Sequence, residues 1–203
     1  MAKGKKRPVI YRVVKFEIFP SDDQVTTLRK ISDNLALLWN EALAKREKEF
    51  DTHIKPLLEQ LRGAHKSGDT ALVSSLREKL KNVSGEHSIT LFDQINELTD
   101  IRKKRSDFQA VPRNWQEEML DTLNGAWSSW RQLRFRGDRD AQRPGERDAW
   151  HFAEVTGRFG FRVKDIAIEL SPGKKLPGGG SLVFPLSSYA TKKIGEWVSE
   201  NQG

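Results

Sequence analysis

Between Ala126 and Phe152 the chain carries six arginines, Arg131, Arg134, Arg136, Arg139, Arg143 and Arg147, and no lysine. A guanidinium is a planar fork that binds phosphate oxygens in pairs and stacks on flat rings, so a run of this kind points to an anionic backbone. Four acids in the same stretch, Asp138, Asp140, Glu146 and Asp148, reduce its net charge to +2. A solvated loop whose ion pairs cancel is therefore the simpler alternative, and the preference for arginine over lysine is what favours phosphate. Trp150, beside His151 and Phe152, is a candidate for stacking on a base, with strand packing as the alternative. Trp127 and Trp130 lie three apart on a helical pattern, share one face and read as core.

A second basic cluster opens the chain. Lys3, Lys5, Lys6, Arg7, Arg12 and Lys15 give residues 1–16 a charge of +6 with no acid. A flexible arm of this sort contacts phosphates, each neutralised phosphate adding affinity and salt dependence; a solubilising tail is the alternative. Residues 17–98 hold 11 bases and 14 acids, and residues 99–203 hold 18 and 14, so the net charge of +7 sits at the start and in the second half.

Catalytic chemistry is poorly supported. With no cysteine, thiolate nucleophiles, disulfides and thiolate metal sites are excluded. His53, His65, His87 and His151 are scattered without the i, i+4 pairing of helical metal sites, so no metal ligand is expected among them. Asp138 and Asp140 read as counter-ions of the neighbouring arginines, and "GKKLPGGG" reads as a turn because no Lys-Ser/Thr pair follows its glycines. No catalytic residue and no cofactor is expected. No apolar signal core and no stretch of roughly 18 apolar residues occurs, so a cytoplasmic, nucleoid-accessible protein without membrane contact is expected.

The elements that must position these groups are legible in the periodicities. "PVIYRVVKFEIF" alternates as a long strand, and Pro20 stops it. "SDDQ" then supplies a capping box, with Ser21 and Gln24 bonding reciprocally, and opens a helix to about Phe50. Val25, Leu28, Ile31, Leu35, Leu38 and Ala42 form its apolar stripe, with Trp39 alongside. Pro56 and "RGAHKSGD" break the next segment into a polar helical hairpin, and "NVSGEHS" reads as a loop. Leu91, Phe92, Ile95, Leu98 and Ile101 mark a helix ending in "RKKR"; "DFQAVPRN" turns the chain; Trp115 to about Leu133 is helical again. Past Gly137 the period shortens to two, and "WHFAEV", "FRVKDIAIEL" and "SLVFPL" read as three short strands. The expected fold is α+β: a small sheet or barrel of the first strand (residues 1–20) and late strands (136–203), with a helical bundle (21–135) inserted between them.

In this order the segments resemble the amino-terminal signature of transposon-encoded TnpB proteins and their relatives, the type V CRISPR effectors. The signature falls on Pro20, Ser21, Gln24, Leu28, Trp39 and Asn40, and the helix pair over residues 91–133 looks like the family's as well. "RPGERDAWHF" departs from the family's pattern, since Gly145 and Glu146 replace an aromatic and a basic position. The resemblance implies a wedge-type barrel with a helical recognition lobe that holds guide RNA, the guide–target duplex and a target-adjacent DNA motif. It adds Asn40 to the candidate contacts. It also implies that a RuvC-like nuclease domain with Mg, and a zinc ribbon with Zn, would lie further along than Gly203, and that "ATKKIGEWVSENQG" leads into more wedge strands. The expected partners are a guide RNA, CRISPR-derived or transposon-derived, and target DNA, with a dimer or a nuclease half as further associates. A stand-alone α+β regulator that binds RNA or DNA without a guide, and a helical protein scaffold, are the alternative readings.

Overall fold

The computed structural model describes residues 18–149, 161–164, 167–170 and 182–201. The first strand and the "WHFAEV" strand therefore fall outside the described residues, together with any pairing between them. The elements are α1 (Asp22–Glu49), a π-helical turn (Phe50–Ile54), α2 (Lys55–Ser67), α3 (Thr70–His87), α4 (Leu91–Lys104), α5 (Ser106–Gln109), α6 (Arg113–Phe135), β1 (Phe161–Lys164), β2 (Ala167–Leu170), β3 (Leu182–Pro185) and α7 (Ser188–Asn201). A helical bundle and an antiparallel sheet make this an α+β fold.

The start of α1 follows its sequence. Ser21 Oγ accepts from the Gln24 amide at 3.4 Å, and Gln24 Oε1 accepts from the Ser21 amide at 2.9 Å. The other end of the same side-chain amide reaches the sheet, Gln24 Nε2 donating to the Val183 carbonyl at 3.0 Å. Gln24 thus caps the helix and ties β3 to it.

The end of α1 breaks with that pattern. Rather than stopping at Phe50, the helix widens for one π turn and continues as α2, so that residues 22–67 form one uninterrupted helical rod. Pro56 sits at the second position of α2. A proline ring collides with the carbonyl four residues earlier in a regular helix, and a wider turn just upstream accommodates it. The rod ends at Gly68, whose φ of 73° is left-handed. There the Asp69 amide bonds the Ala64 carbonyl at 3.2 Å and the Asp69 carboxylate caps α3 through the Leu72 amide at 2.9 Å. The expected long break is thus a two-residue one. The loop expected over "NVSGEHS" is also absent: α3 runs through it to His87, because Val83 packs with Leu80 and Leu61 against the small core of Leu57, Ala64, Val73 and Leu76.

The main core lies between α1, α4 and α6, with Leu35, Trp39, Leu98, Phe108, Met119 and Leu123 all but inaccessible to water. Trp127 and Trp130 belong to it, their rings 4.9 Å apart and both edge-on to Phe50 of the π turn. Phe92 is the exception to the α4 stripe and faces solvent. The run "RKKR" closes α4 structurally as well as electrostatically. Arg102 Nη1 donates to the carbonyls of Phe108 (2.8 Å) and Val111 (2.7 Å) and to Gln116 Oε1, which fixes the α4–α5–α6 turn. Arg105 bonds Asp107 and Glu41 and lies 4.0 Å over the Phe108 ring.

The sheet has the order β1-β2-β3, all antiparallel, and is open among the described residues. "FRVKDIAIEL" is not one strand but a hairpin, Phe161 facing Leu170 and Lys164 facing Ala167 across a two-residue connection. The closing segment "ATKKIGEWVSENQG" belongs largely to α7, whose Ala190 is fully buried and packs with Ile168 and Leu186. Its polar and apolar residues recur at helical rather than strand spacing, and Ser187 Oγ caps it through the Ala190 amide at 3.2 Å.

One charge is buried in the bundle. Arg46, 3% exposed, donates Nε and Nη2 to Gln94 Oε1 at 2.9 and 2.7 Å and Nη1 to Asn124 Oδ1 at 3.3 Å, while Gln94 Nε2 donates to the Ala42 carbonyl at 3.0 Å. Burial pushes its pKa down to about 10. Gln94→Leu strips the guanidinium of its two best hydrogen bonds and is expected to cost about 2–3 kcal/mol in urea unfolding. The double change Arg46→Met with Gln94→Leu recovers most of that loss, since apolar packing then replaces a buried charge.

Candidate functional site

The arginine-rich junction leaves α6 through Gly137, whose φ of 96° completes the helix end, with the Asp138 amide bonding the Leu133 carbonyl at 3.0 Å. Asp138 Oδ1 then accepts from the amides of Asp140 (3.0 Å) and Ala141 (3.1 Å). It shapes a turn; the expected role of a counter-ion to its neighbours is not what its geometry shows. Arg134 Nη1 donates to the Arg139 carbonyl at 2.5 Å and closes this corner.

From there the chain runs back along α1 as an extended strap. Arg143 forks onto Asp51 of the π turn, with Nη1 and Nη2 at 2.8 and 2.7 Å from its two oxygens, and lies 5.2 Å from the Phe50 ring centre and 5.0 Å from that of Trp130. Glu47 approaches the same guanidinium at 3.7 Å. Trp39 Nε1 donates to the Gly145 carbonyl at 2.9 Å. Asn40 grips the next backbone unit from both sides, Nδ2 donating to the Arg147 carbonyl at 3.0 Å and Oδ1 accepting from its amide at 2.9 Å. The Arg147 guanidinium stacks 4.2 Å over the buried Trp39 indole.

These contacts sort the candidates. Asn40 holds the strap, and its amide is consumed by Arg147. Arg143 is committed to Asp51, whose hydrogen bond raises the arginine's pKa and, in return, holds the Asp51 carboxyl below its ordinary range. Arg147 is set against Trp39. Arg131, Arg136 and Arg139 are exposed, and their side chains make no ion pair or hydrogen bond among the described residues. The six arginines thus divide into residues that fasten the strap and three that point charge at solvent. Lys3, Lys5, Lys6, Arg7, Arg12, Lys15 and Trp150 lie outside the described residues. Phe135, 94% exposed between Arg134 and Arg136, joins these candidates from the structure, its signal in the sequence being the "RFR" triplet at a helix end. His53 and His87 read as scattered in the sequence, whereas their rings stack with centres 3.6 Å apart.

Asn40→Ala removes both bonds to Arg147 and is expected to cost about 1–3 kcal/mol of local stability. Trypsin should then cut between Arg136 and Arg147 faster while helical circular dichroism is retained. The Asp51 contact carries a pH signature. A carboxyl whose folded pKa is depressed contributes stability above its ordinary range and loses it as pH falls through the lowered value. Amide hydrogen exchange in the strap, corrected for the intrinsic exchange rate at each pH, should therefore accelerate once the pH falls below the ordinary carboxylate range, and Asp51→Asn should remove that dependence.

Residues 10–55, which span α1, the π turn and the first residue of α2, match the family model of the helix-turn-helix domain of IS605 OrfB, a domain of the TnpB/IS605 transposase family. Within that segment the described residues form one long helix with a π turn, without a sharp turn between two helices. Neither the curated proteins nor the solved structures contain a significant match to the chain.

Proposed function

We propose that the chain is the nucleic-acid-binding recognition part of an RNA-guided, DNA-targeting effector of the TnpB type. The observation that carries this reading is the match over residues 10–55 to a TnpB-family domain whose signature pair, Trp39 and Asn40, fastens the arginine strap to α1. Arg131, Arg136 and Arg139 contact phosphates of the guide RNA or of the guide–target duplex, and Phe135 stacks on an unpaired base. Lys3, Lys5 and Lys6 of the amino-terminal segment add further phosphate contacts in this reading. Such contacts read backbone shape, and base pairing with the guide supplies sequence specificity.

The helix-turn-helix description by itself favours a second reading, a guide-free DNA-binding regulator. Such a protein lays a short recognition helix in the major groove, exposed along its reading face. Over the matched residues α1 instead buries Ile31, Leu35, Leu38, Trp39, Ala42 and Leu43 in the bundle, which favours backbone recognition by the exposed arginines at the end of α6 and the corner after it.

Nucleic acid that co-purifies with the chain, sequenced and then titrated back at several salt concentrations, tests the proposal. One defined non-coding RNA is expected, bound with an affinity that falls steeply with salt. Replacing Arg131, Arg136 and Arg139 by Gln should lower the salt slope by about three and weaken binding at least tenfold, by the usual yield per phosphate contact of roughly one. Arg62→Gln with Arg77→Gln on the α2–α3 hairpin should change neither. Salt-insensitive or absent RNA binding overturns the reading, and a DNA operator in place of RNA establishes the second one.

A further inference from the structure

The π turn brings together three side chains that the proposed function does not use. Glu49 and His53 are four apart at its edge, and His87 is the last residue of α3. His53 Nε2 and His87 Nδ1 lie 3.7 and 3.1 Å from the same oxygen, Glu49 Oε2, and all three potential donor atoms fall within 4.8 Å of one another. The two imidazoles are stacked, 10° from parallel. All three side chains are about one-third exposed, so an ion can enter from solvent.

We propose that Glu49, His53 and His87 form a binding site for a divalent transition-metal ion, with zinc(II) the species that the donor set fits best. Two imidazoles and one carboxylate are a zinc donor set, and donors about 2.0–2.2 Å from a tetrahedral ion stand roughly 3.3–3.5 Å apart. The observed 3.1 and 3.7 Å straddle that spacing and the third donor pair lies within 4.8 Å; the two rings turn out of their stack so that both in-plane lone pairs converge on one ion. The crowding of both rings on one carboxylate adds a second argument. Two imidazoles aimed at one carboxylate oxygen compete for it, and two protonated rings in van der Waals contact repel. One dication accepts both neutral nitrogens and the carboxylate at once. The fourth position is left to water or an anion; Arg46 and Arg131, which line the shallow pocket beside His87, favour the anion. An ion here clasps the middle of the rod to the far end of α3 and closes the α2–α3 hairpin as a loop, which makes it a structural clasp.

The test uses the full chain, stripped with chelator and titrated with zinc chloride by calorimetry, with thermal unfolding in parallel. One ion per chain and a raised unfolding midpoint are expected. His53→Ala and His87→Ala should each weaken binding at least about tenfold, and Glu49→Gln should weaken it while keeping a hydrogen-bond partner for His87. His65→Ala, an exposed histidine on α2, should leave it unchanged. Helical circular dichroism of each metal-free variant, equal to that of the parent, separates lost ligands from lost folding. No one-to-one binding at about 100 µM zinc, or binding that survives both histidine changes, overturns the site.

Discussion

The structure hangs on one constraint: a single helical rod, residues 22–67, must serve partners on different sides along its length. A regular helix keeps one apolar stripe on one face, which suits one partner layer. The π turn at Phe50–Ile54 carries one extra residue in its ring and rotates everything beyond it. Before the turn, Ile31 to Arg46 face α4 and α6; after it, Leu57 and Ala64 face α3. Within the turn itself, Phe50 meets the two tryptophans of α6, Asp51 holds Arg143, His53 meets His87, and Ile54 is buried. An ordinary α-helical turn would swing at least one of these away from its partner.

The same rod explains how an arginine-rich segment stays in one place. A loop of twelve residues without internal ladder bonds has little to order it, and each ordered residue costs about 1–2 kcal/mol of backbone entropy. The strap over residues 137–148 is pinned at Asp138, Arg143, Gly145 and Arg147, in each case by hydrogen bonds from a side chain or to one. Two of its own arginines are used in doing so. Arg143 is balanced by Asp51 of the π turn and Glu47 of α1, and Arg147 lies over the Trp39 ring, so both arginines contribute attraction that holds the strap against the rod.

Much of this was legible in the sequence where a local rule decided the outcome. The Ser21–Gln24 box, the α1 stripe, the α4 and α6 helices and the burial of Trp127 and Trp130 come from spacing alone. What was not legible depended on contacts distant in sequence. Nothing local says that a helix interrupted by Pro56 continues, because the relief comes from a turn that Trp127 and Trp130 stabilise from a distant part of the chain. In "FRVKDIAIEL" the apolar positions move from odd (Phe161, Val163) to even (Ile168, Leu170), the one-residue phase slip that a fold-back with Phe161 opposite Leu170 requires, but a slip over ten residues is too short to separate a hairpin from one irregular strand. His53 and His87 sit on opposite sides of the α2–α3 hairpin, so their stacking could not be read from i, i+4 spacing. The six arginines looked equivalent because the residue type carries no information about which have an aspartate or an indole waiting on another helix.

That division bears on how the candidate interface works. A flexible arginine loop must be ordered as it binds, and the ordering cost is subtracted from its phosphate contacts. Here Arg134 closes the corner onto the Arg139 carbonyl, and Gly137 and Asp138 fix the chain direction before any ligand arrives. Arg131 sits on the last turns of α6, a helix whose other face is locked in the core; Arg136 caps that helix, and Arg139 comes next on the fixed corner. Three guanidiniums and the Phe135 ring are therefore presented from a rigid base, and binding need order only their side chains. Trp39 and Asn40 fasten Gly145 and Arg147 and so hold the far end of the strap against α1, while the spacing of the exposed charges is set at its near end by α6 and the corner at Gly137–Asp138.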